Sequence, residues 1–342
     1  MQITVYEDAS AFELLRNEWN ALLQRSATNE IFLTWEWQST WWDTFQAGEL
    51  LIVAVRTPDG RLAGIAPWFV HHIGGERVLR TVGCVDVTDY VDIIVDQYAV
   101  SAVQIALAGF LSLHRQRFDR VNLCNIPEPS PTTQFMPDLL RVRGFDADLV
   151  LQEVCPVIHL PSDWESYLSM LDKKQRHEIR RKIRRAESEA KLEYVVLDSS
   201  ASPIMLGEAV IDEFLSLMRD SQPAKAEFLD VEANRVFLSR ILQTTASAGW
   251  LRLSFLRCDG ETAAAYADFI YGGHVQVYNS GLRPTLASHL SLGNVLLAYN
   301  IQNAIERGLQ VFNFLRGNET YKYRMGAIDT RIYKLVARSL TD

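Results

Sequence analysis

The sequence predicts an α/β protein with two domains, from its length, its alternation of strand and helix patterns, and one pattern that occurs twice. The chain has 342 residues, and domains of about 150 residues each can bury a core of their own. The repeated pattern is an apolar strand, a basic residue, an Asp-Gly turn and a strand with small residues, as in LLIVAVRTPDGRLAGIAPWFV and LRLSFLRCDGETAAAYADFI. We therefore expect a duplicated α/β unit, with domains at residues 1–150 and 151–342. A chance likeness between two common hairpins is the alternative.

Hydrophobic periodicity assigns the elements of both halves. Apolar residues from Phe12 to Leu22 have helical spacing and follow a strand at residues 2–7. The other first-half elements are strands at 50–56, 61–70, 77–82, 90–95 and 120–124 and helices at 98–116 and 132–141. The second-half elements are helices at 162–188, 204–219 and 231–247 and strands at 193–197, 250–257, 261–270 and 273–279. A last helix starts near Leu292 and ends before Gly308, and the strand VFNFL follows it.

Composition and motifs argue against several function classes. The net charge of −8 repels nucleic acid and anionic membranes from the molecule as a whole, so a polyanion needs a local basic patch. The four cysteines form no C-x-x-C pair, and we expect reduced thiols in a cytoplasmic protein without a signal peptide or membrane span. His71 and His72 point to opposite faces of a strand, and we expect no metal site. Phosphate-loop, Rossmann and nucleophile-elbow motifs are absent from the sequence.

The segment DKKQRHEIRRKIRR, residues 172–185, is strongly basic. Eight lysines and arginines outweigh Asp172 and Glu178, which gives a net charge of +6. The apolar residues Ile179 and Ile183 have helical spacing, so the segment predicts a helix with one apolar stripe and a basic remainder. A solvated helix face is one interpretation. The other is a cationic rim for a phosphate-bearing ligand, such as a nucleotide cofactor or RNA.

Tryptophans crowd the segment IFLTWEWQSTWWDTF. Trp35 and Trp42 lie seven residues apart, on one face of a helix. The simpler interpretation is that these aromatic side chains pack the helix into the core. The alternative is that Trp37 or Trp41 lines a ligand cleft.

The C-terminal region predicts a strand, a loop and a helix in that order. The strand ends at Tyr278, and the helix begins near Leu292. The free N–H groups and the positive dipole end of such a helix can hold an anion, and Gly293 lets a pyrophosphate approach the backbone. Ser288 and Ser291 can cap the helix or donate to phosphate.

Polar and titratable residues follow the strand VFNFL, at a strand end where open α/β sheets bind their ligands. The residues are Asn313, Arg316, Glu319, Tyr321, Lys322 and Tyr323. A turn closed by an ion pair between Arg316 and Glu319 is the alternative to a site.

These motifs together resemble a known family, the GNAT-type acyltransferases of the FemAB-like, CelD/BcsL (cellulose-biosynthesis) group. The resemblance covers most of the chain. It is carried by FLTWEWQSTWWDTF, by DYVDIIVD with Asp89, Tyr90 and Asp92, by LDKKQRHEIRRKIRR, and by SLGNVLLAYNIQNAIERG followed by FNFLRGNETYK. Two features depart from the family pattern. Asn313 stands where the family usually has an acidic residue, and of the pyrophosphate motif only Gly293 remains.

The resemblance implies two tandem GNAT-like domains, each a mixed, largely antiparallel sheet flanked by helices. It implies acyl transfer to an amine, or less often a hydroxyl, from acyl-coenzyme A as co-substrate or, in the Fem branch, from aminoacyl-tRNA. Arg176 and Arg180 resemble the element near the acyl donor, Ser291 and Gly293 a reduced pyrophosphate loop, and Tyr321 and Lys322 the signature that closes the active site. Ser288 and Arg316 complete the expected donor-binding set. For the acceptor, a small molecule or saccharide, we expect contacts from Trp37, Trp41, Asp89, Tyr90, Asp92 and Tyr278.

The expected mechanism is direct attack of the acceptor on the acyl thioester, without a covalent enzyme intermediate. Glu319, or a water held by Asn313, is the candidate base, and Tyr321 the candidate acid. Backbone N–H groups of the strand at 273–279 are the candidate oxyanion donors. This scheme requires Arg176, Gly293 and Lys322 to lie around one cavity. Two alternatives remain: an aminoacyl-tRNA-dependent transferase, and a binding module that has lost turnover.

Overall fold

The computed structural model describes residues 1–84 and 87–340, and it divides into two compact units. Unit 1 comprises Met1–Glu153 and Arg331–Asp342, and unit 2 comprises Val154–Thr330. The predicted boundary at residue 150 lies close to this division. The second predicted domain also included residues 331–342, which the structure groups with unit 1. Val85, Asp86, Thr341 and Asp342 lie outside the described residues.

Unit 1 contains a mixed sheet covered by helices. Its strands are β1 (Gln2–Tyr6), β2 (Glu49–Arg56), β3 (Leu62–Ile73), β4 (Glu76–Thr81), β5 (Ile94–Val95) and β6 (Arg120–Pro127). Its helices are α1 (Ser10–Gln24), α2 (Trp35–Phe45), α3 (Val100–Leu113) and α4 (Pro131–Arg141), and 3-10 turns occupy Ile31–Leu33 and Arg115–Arg117. Two further strands, β7 (Phe145–His159) and β13 (Ile328–Ser339), carry residues of both units.

The unit 1 strands follow the order β1-β2-β3-β4-β6-β13, and β5 pairs with β3. Neighbours are antiparallel except β4 and β6, which are parallel. The Asp-Gly hairpin joins β2 to β3, with Gly60 at a φ of 88° in the turn. Apolar residues of these strands and of α3 and α4 form one core.

Unit 2 also has mixed strand pairing. Its own strands are β8 (Leu192–Asp198), β9 (Leu251–Cys258), β10 (Glu261–Tyr271), β11 (His274–Leu282) and β12 (Val311–Asn313). Its helices are α5 (Trp164–Met170), α6 (Lys173–Glu189), α7 (Glu208–Ser221), α8 (Pro223–Asp230), α9 (Glu232–Ser247), α10 (Leu292–Glu306) and α11 (Thr320–Arg324), and Ser288–Leu290 form a 3-10 turn. Helix α10 packs on the sheet, and Ile179 and Ala186 of α6 join the same core, as the predicted apolar stripe requires.

The unit 2 strands follow the order β7-β12-β11-β10-β9-β8, all antiparallel except for β11 and β12. The parallel pairing of β11 with β12 is short. It begins at His274 and Val311 and ends at Gln276 and Asn313. Strand β11 continues to Leu282 beyond that last pair, so this part of its edge is not covered by β12.

The main features predicted from periodicity are confirmed, and four elements were missed. Both Asp-Gly hairpins, the amphipathic α6 and the helix that starts at Leu292 are present. The missed elements are β7, β13, α8 and α11. The strand expected at 90–95 is reduced to Ile94–Val95, and β6 extends to Pro127, beyond its expected end at residue 124.

The expectation of reduced cysteines is wrong for one pair. Cys84 and Cys124 form a disulfide, whereas Cys155 and Cys258 are free and buried. The two bonded cysteines are 40 residues apart in the sequence, and the fold brings their Cα atoms to 6.0 Å. The argument for a cytoplasmic location from thiol usage therefore loses its support. Within residues 1–84 and 87–340, no helix is long and apolar enough to cross a membrane.

Candidate functional site

The largest described cavity of unit 2, about 680 Å³, lies beside the uncovered end of β11. We call it the main cavity. Its wall is formed by Ser280–Leu282 of β11, the loop that follows, the start of α10, and residues of α7, α8 and α11. The cavity exists because β11 continues past the point where its pairing with β12 stops.

Gly281 brings β11 close to α7. A Cβ atom at this position would lie 2.5 Å from the backbone carbon of Leu217 and the backbone nitrogen of Met218. Only a residue without a side chain permits this approach of strand to helix. The glycine therefore fixes one wall of the main cavity.

The start of α10 forms another wall. Ser291 has a left-handed φ of 55°, and its carbonyl accepts the first helical bonds, from the N–H groups of Asn294 and Val295. The N–H groups of Leu292 and Gly293 precede these bonds and have no partner within the helix. Because α10 has 15 residues, its dipole adds positive potential at this end. Ser288, Ser291 and Gly293 all line the main cavity, where the sequence analysis expected an anion site.

Tyr321 of α11 lies between two cavities and lines both. Its ring makes an edge contact with Phe314, with the centroids 6.0 Å apart. Burial raises the pKa of Tyr321, and the negative charge of Glu319 raises it further. The hydroxyl group is therefore protonated at neutral pH and can donate a hydrogen bond or a proton into the cavity.

The second cavity, about 410 Å³, is basic, and we call it the basic cavity. Lys174 and Lys182 of α6 and Arg324 of α11 line it, together with one acidic residue, Glu178, and apolar residues of α6 and α10. It shares Asn294 and Tyr321 with the main cavity. The side chains of Lys174 and Lys182 thus place positive charge next to the start of α10.

The predicted residues of the basic helix are not those that line this cavity. Arg176 is half-buried and lines neither the main nor the basic cavity. Arg180 faces a separate groove and is bonded to Glu165. Helical periodicity explains why Lys174 and Lys182 line the cavity in place of the predicted arginines, because these two lysines lie on the side of α6 that faces α10 and α11.

Lys322 has a structural position that the sequence analysis did not foresee. Its side chain is 3% exposed, and its amino group donates to the carbonyl oxygens of Leu315, Arg316 and Gly317 and to the carboxylate of Glu319. The hydrogen bonds of this amino group therefore stabilise the turn before α11. Arg176, Gly293 and Lys322 do not converge on one cavity as expected, since Gly293 alone of the three lines the main cavity.

The same turn uses Asn313. Its side-chain oxygen accepts from the backbone N–H of Leu315 at 2.8 Å, and Leu315 has a left-handed φ of 57°. Asn313 and Arg316 line neither the main nor the basic cavity, in contrast to the expected roles. Glu319 does line the main cavity, and its Oε2 lies 2.9 Å from Lys322 Nζ. Lys322 is thus a partner of Glu319.

The acceptor-binding residues expected in the first half lie in unit 1 and are mostly inaccessible. Trp37 and Trp41 are fully buried, and Trp37 donates from its indole nitrogen to Thr88. Tyr90 is also buried. The simpler interpretation of the tryptophan segment is therefore the correct one, because no surface of these rings is open to a ligand.

Asp92 is fully enclosed in unit 1. Thr28, Ser130 and Thr132 donate hydroxyl groups to its carboxylate, and the N–H of Ile93 adds a fourth bond. Burial raises the pKa of Asp92, against the effect of these donors. The side chain holds loops of unit 1 together and does not face a cavity.

The two remaining expected acceptor contacts are half-buried. Asp89 is in unit 1 and already has an interaction partner. Tyr278, in β11, packs against Phe269 in a tilted arrangement, with the ring centroids 4.9 Å apart, and does not line the main cavity. Neither is placed by the structure at the candidate site.

Lys225 of α8 is a cavity residue that the sequence analysis missed. Its amino group donates to the carbonyl oxygen of Ser280 and lies 3.4 Å from Ser280 Oγ. Burial lowers its pKa to about 8, while the charge of Glu319 acts in the opposite direction. Pro223, a residue favoured in the first helical turn, is the signal that could have predicted α8. Nothing in the sequence indicates the burial of Lys225.

No group of three or more histidine, cysteine, aspartate or glutamate side chains in the described part of the chain could hold a metal ion. The donors that face the main cavity include backbone N–H groups, hydroxyl groups, an amine and the guanidinium group of Arg283. Such a set suits an anionic or carbonyl-containing organic ligand.

Comparisons with known proteins agree with this architecture. The family model described as "Acetyltransferase (GNAT) domain" matches residues 173–323. No curated protein matches the sequence. The recognition of a GNAT-type acyltransferase domain is thus confirmed for the region that contains both cavities.

Solved structures extend the likeness to the whole chain. FemX has a TM-score of 0.65 at 10% identity, over 98% of this chain and 97% of that one. A conserved protein of unknown function from Bacteroides thetaiotaomicron has a TM-score of 0.57 at 14% identity, over 99% and 100%. L-PGS from Bacillus licheniformis has a TM-score of 0.56 at 13% identity, over 95% and 92%. These values support the fold, and the predicted class of tandem GNAT-like α/β domains is confirmed.

Proposed function

We propose, on the premise that residues 173–323 match a GNAT acetyltransferase domain, that unit 2 transfers an acyl group from acyl-coenzyme A to an acceptor amine, or less often a hydroxyl group. The acceptor is a small molecule or a saccharide, as the resemblance to the CelD/BcsL group implies. The observation that carries the proposal is that the start of α10, the hydroxyl group of Tyr321 and the amine of Lys225 face one cavity.

The phosphates of the donor bind at the start of α10. The N–H groups of Leu292 and Gly293 and the hydroxyl groups of Ser288 and Ser291 supply donors there. Lys174, Lys182 and Arg324 in the adjoining basic cavity supply positive charge for the remaining phosphate groups. Because no side chain of Gly293 intervenes, a phosphate can contact the helix backbone directly.

The acyl carbon lies near Tyr321, where the two cavities meet. The acceptor attacks it directly, and the uncovered edge of β11 beyond Gln276 supplies backbone N–H groups for the developing oxyanion. Tyr321 donates its hydroxyl proton toward the leaving sulfur. No covalent enzyme intermediate is needed, since donor and acceptor are held in one cavity.

A ligand screen and one matched pair of variants test this proposal. Acetyl-coenzyme A or a longer acyl-coenzyme A should raise the unfolding temperature, because a hundredfold excess over Kd stabilises a protein by about 2.7 kcal/mol. Tyr321→Phe should lower kcat/KM for acyl transfer at least tenfold. Tyr323→Phe is the control, since this neighbour bonds to Asp329 and does not line the main cavity.

Equal activity of Tyr321→Phe and wild type would contradict the role of Tyr321. Absence of both a thermal shift and acyl transfer with every coenzyme A thioester would contradict the donor. Tight binding without any transfer across a panel of amines would instead favour a binding module, an alternative that the loss of an acidic residue at Asn313 motivates.

An aminoacyl-tRNA donor is the second candidate, and the basic cavity is the observation that favours it. In that case binding of aminoacylated tRNA should weaken by about one log unit per log unit of salt for each phosphate contact. Three of the basic residues of α6, Arg180, Arg181 and Arg185, are already bonded to glutamates. This partial neutralisation makes coenzyme A the preferred donor.

A further inference from the structure

We propose that Lys225 is a catalytic residue that accepts the proton released by the attacking group of the acceptor. This inference rests on the proposed acyl transfer in unit 2 and names the proton acceptor for it. It replaces Glu319 and the Asn313-bound water that the sequence suggested.

The position of Lys225 is fixed by two neighbouring elements. Helix α8 begins at Pro223, directly after Gln222, which lines the main cavity, and its first turn carries Lys225 toward β11. There the amino group meets the carbonyl and hydroxyl oxygens of Ser280. Ser280 lies beyond the last residue of β11 that pairs with β12, so Lys225 reaches the open part of the strand edge.

The surroundings of Lys225 favour the neutral amine. A charged ammonium group has three N–H donors, and the partners of Nζ among the described residues are the two oxygens of Ser280. A neutral amine can still donate a hydrogen bond to the carbonyl oxygen of Ser280, and its lone pair can accept a proton. Burial lowers the pKa of Lys225 to about 8, although Glu319 opposes the change. Both protonation states are therefore accessible in the pH range where an enzyme works.

The other titratable groups of the main cavity are less suited to accept a proton. The carboxylate of Glu319 is paired with Lys322, whose own amino group is held by three carbonyl oxygens. Burial raises the pKa of both Tyr266 and Tyr321, so both phenols are already protonated at neutral pH. Arg283 carries a guanidinium group, which is always charged and has no acceptor.

The proton balance of the step is complete. The acceptor nitrogen forms a bond to the acyl carbon, and its surplus proton passes to Lys225 Nζ. The bond from the acyl carbon to the sulfur of the donor breaks, and the leaving thiolate takes the hydroxyl proton of Tyr321. The Lys225 ammonium then returns its proton to the Tyr321 phenolate through solvent, which restores both groups for the next turnover.

The first test compares Lys225→Met with Lys191→Met in the full chain. Lys191 is an exposed lysine that does not line the main cavity, so it is the matched control. Lys225→Met should lower kcat/KM for acyl transfer by about 10²- to 10⁴-fold, the usual contribution of a general base. The thermal shift caused by acyl-coenzyme A should stay as in wild type. An effect on kcat/KM below threefold overturns the proposal.

A second variant separates basicity from charge. Lys225→Arg keeps a long cationic side chain, yet a guanidinium group does not release its proton in this pH range. We expect the same loss of kcat/KM as in Lys225→Met. Wild-type activity in Lys225→Arg overturns the proposal, because the lysine would then act as a fixed charge. Loss of activity in Glu319→Gln together with normal activity in Lys225→Met also overturns it and assigns the base to Glu319.

A titration of Lys225 without substrate tests the inference independently of whether the protein transfers acyl groups. The ¹³Cε resonance of Lys225, assigned by its disappearance in Lys225→Met or Lys225→Arg, should titrate with a midpoint near pH 8. A midpoint above pH 10 overturns the proposal. In wild type, kcat/KM should rise with pH and level off near the same value, since the neutral amine is the active form. If wild type transfers no acyl group from any donor, the proposed function fails and the role of Lys225 with it.

Discussion

Hairpin β2–β3 of unit 1 and hairpin β9–β10 of unit 2 follow the same pattern, yet their surroundings differ. In unit 1 the hairpin is covered by buried side chains, such as Trp41, whose ring centroid lies 5.5 Å from that of Phe69 in β3, and Val103 of α3. In unit 2 the strand that follows the hairpin, β11, has an uncovered end with a cavity of about 680 Å³ beside it. The comparison shows how a repeated unit can serve packing in one copy and leave a site in the other.

Two buried carboxylates, one from each unit, are held in different ways. Asp92 of unit 1 is held by three hydroxyl groups and one backbone N–H. Asp268 of unit 2 is paired with Arg252 at 3.1 Å, and both side chains are almost inaccessible. Burial raises the pKa of Asp268 to about 7, against the opposing effect of Arg252. Asp92 is thus satisfied by neutral donors, whereas Asp268 depends on an ion pair, as the buried Asp96 of unit 1 does with two arginines.

The largest effect that we expect tests this dependence. Arg252→Met should lower the free energy of unfolding by about 3–5 kcal/mol, because it leaves Asp268 buried without its cation. Urea unfolding at pH 8 measures the change. The double variant Arg252→Met/Asp268→Leu should recover most of the stability, since an apolar pair removes the uncompensated charge. A double variant no more stable than Arg252→Met would contradict this account of unit 2.

The next effect concerns the pH dependence of stability that Lys225 gives to unit 2. The pKa of Lys225 is about 8 in the folded protein and 10.5 for an ordinary lysine, so the unfolded state binds more protons between these values. Stability should therefore rise with pH from 8 to 10.5, by about 3 kcal/mol in wild type relative to Lys225→Met. Unfolding curves of both proteins across this range measure the difference. A difference that stays constant with pH would show that Lys225 is not buried as described.

The smallest effect that we expect comes from glycines at which a strand lies close to a helix, one in each unit. Gly281→Ala should destabilise the protein by about 1–3 kcal/mol, because its Cβ would meet the backbone of α7. Gly64→Ala should cost less, since its Cβ would meet a side-chain atom of Val103 at 2.5 Å, whereas the Cβ at position 281 would meet backbone atoms. Thermal unfolding of the two variants gives the order. The reverse order would break the claim that Gly281 fixes a wall of the main cavity.

Local patterns in the sequence predicted most of the fold. The Asp-Gly turns, the apolar stripe of α6 and the helix from Leu292 depend on neighbouring residues, and the structure contains all of them. Strands β7 and β13 were missed because their pairing partners are remote in the sequence, such as Leu123 for Leu335. Their exposed residues also break a clear alternation of apolar and polar positions.

The site was only partly predictable, for a physical reason. Tyr321 and Lys322 are adjacent in the sequence, but one helical step turns their side chains to different surroundings, a cavity and a ring of carbonyl oxygens. Lys225 was missed because its lowered pKa arises from burial against β11, which no local pattern encodes. Residue types in the sequence identified candidates for the site, and only the tertiary contacts showed which of them face the cavity.

The division of unit 1 into two segments has a consequence for synthesis of the chain. Strand β6 pairs with β4 on one side and with β13 on the other, and the ribosome makes β13 after every residue of unit 2 up to Thr330. Until then one edge of β6 has no strand to bond, and open edges invite wrong pairing. Synthesis of unit 1 therefore begins first and ends last. Unit 2 can fold on the nascent chain before the final strand of unit 1 has been made.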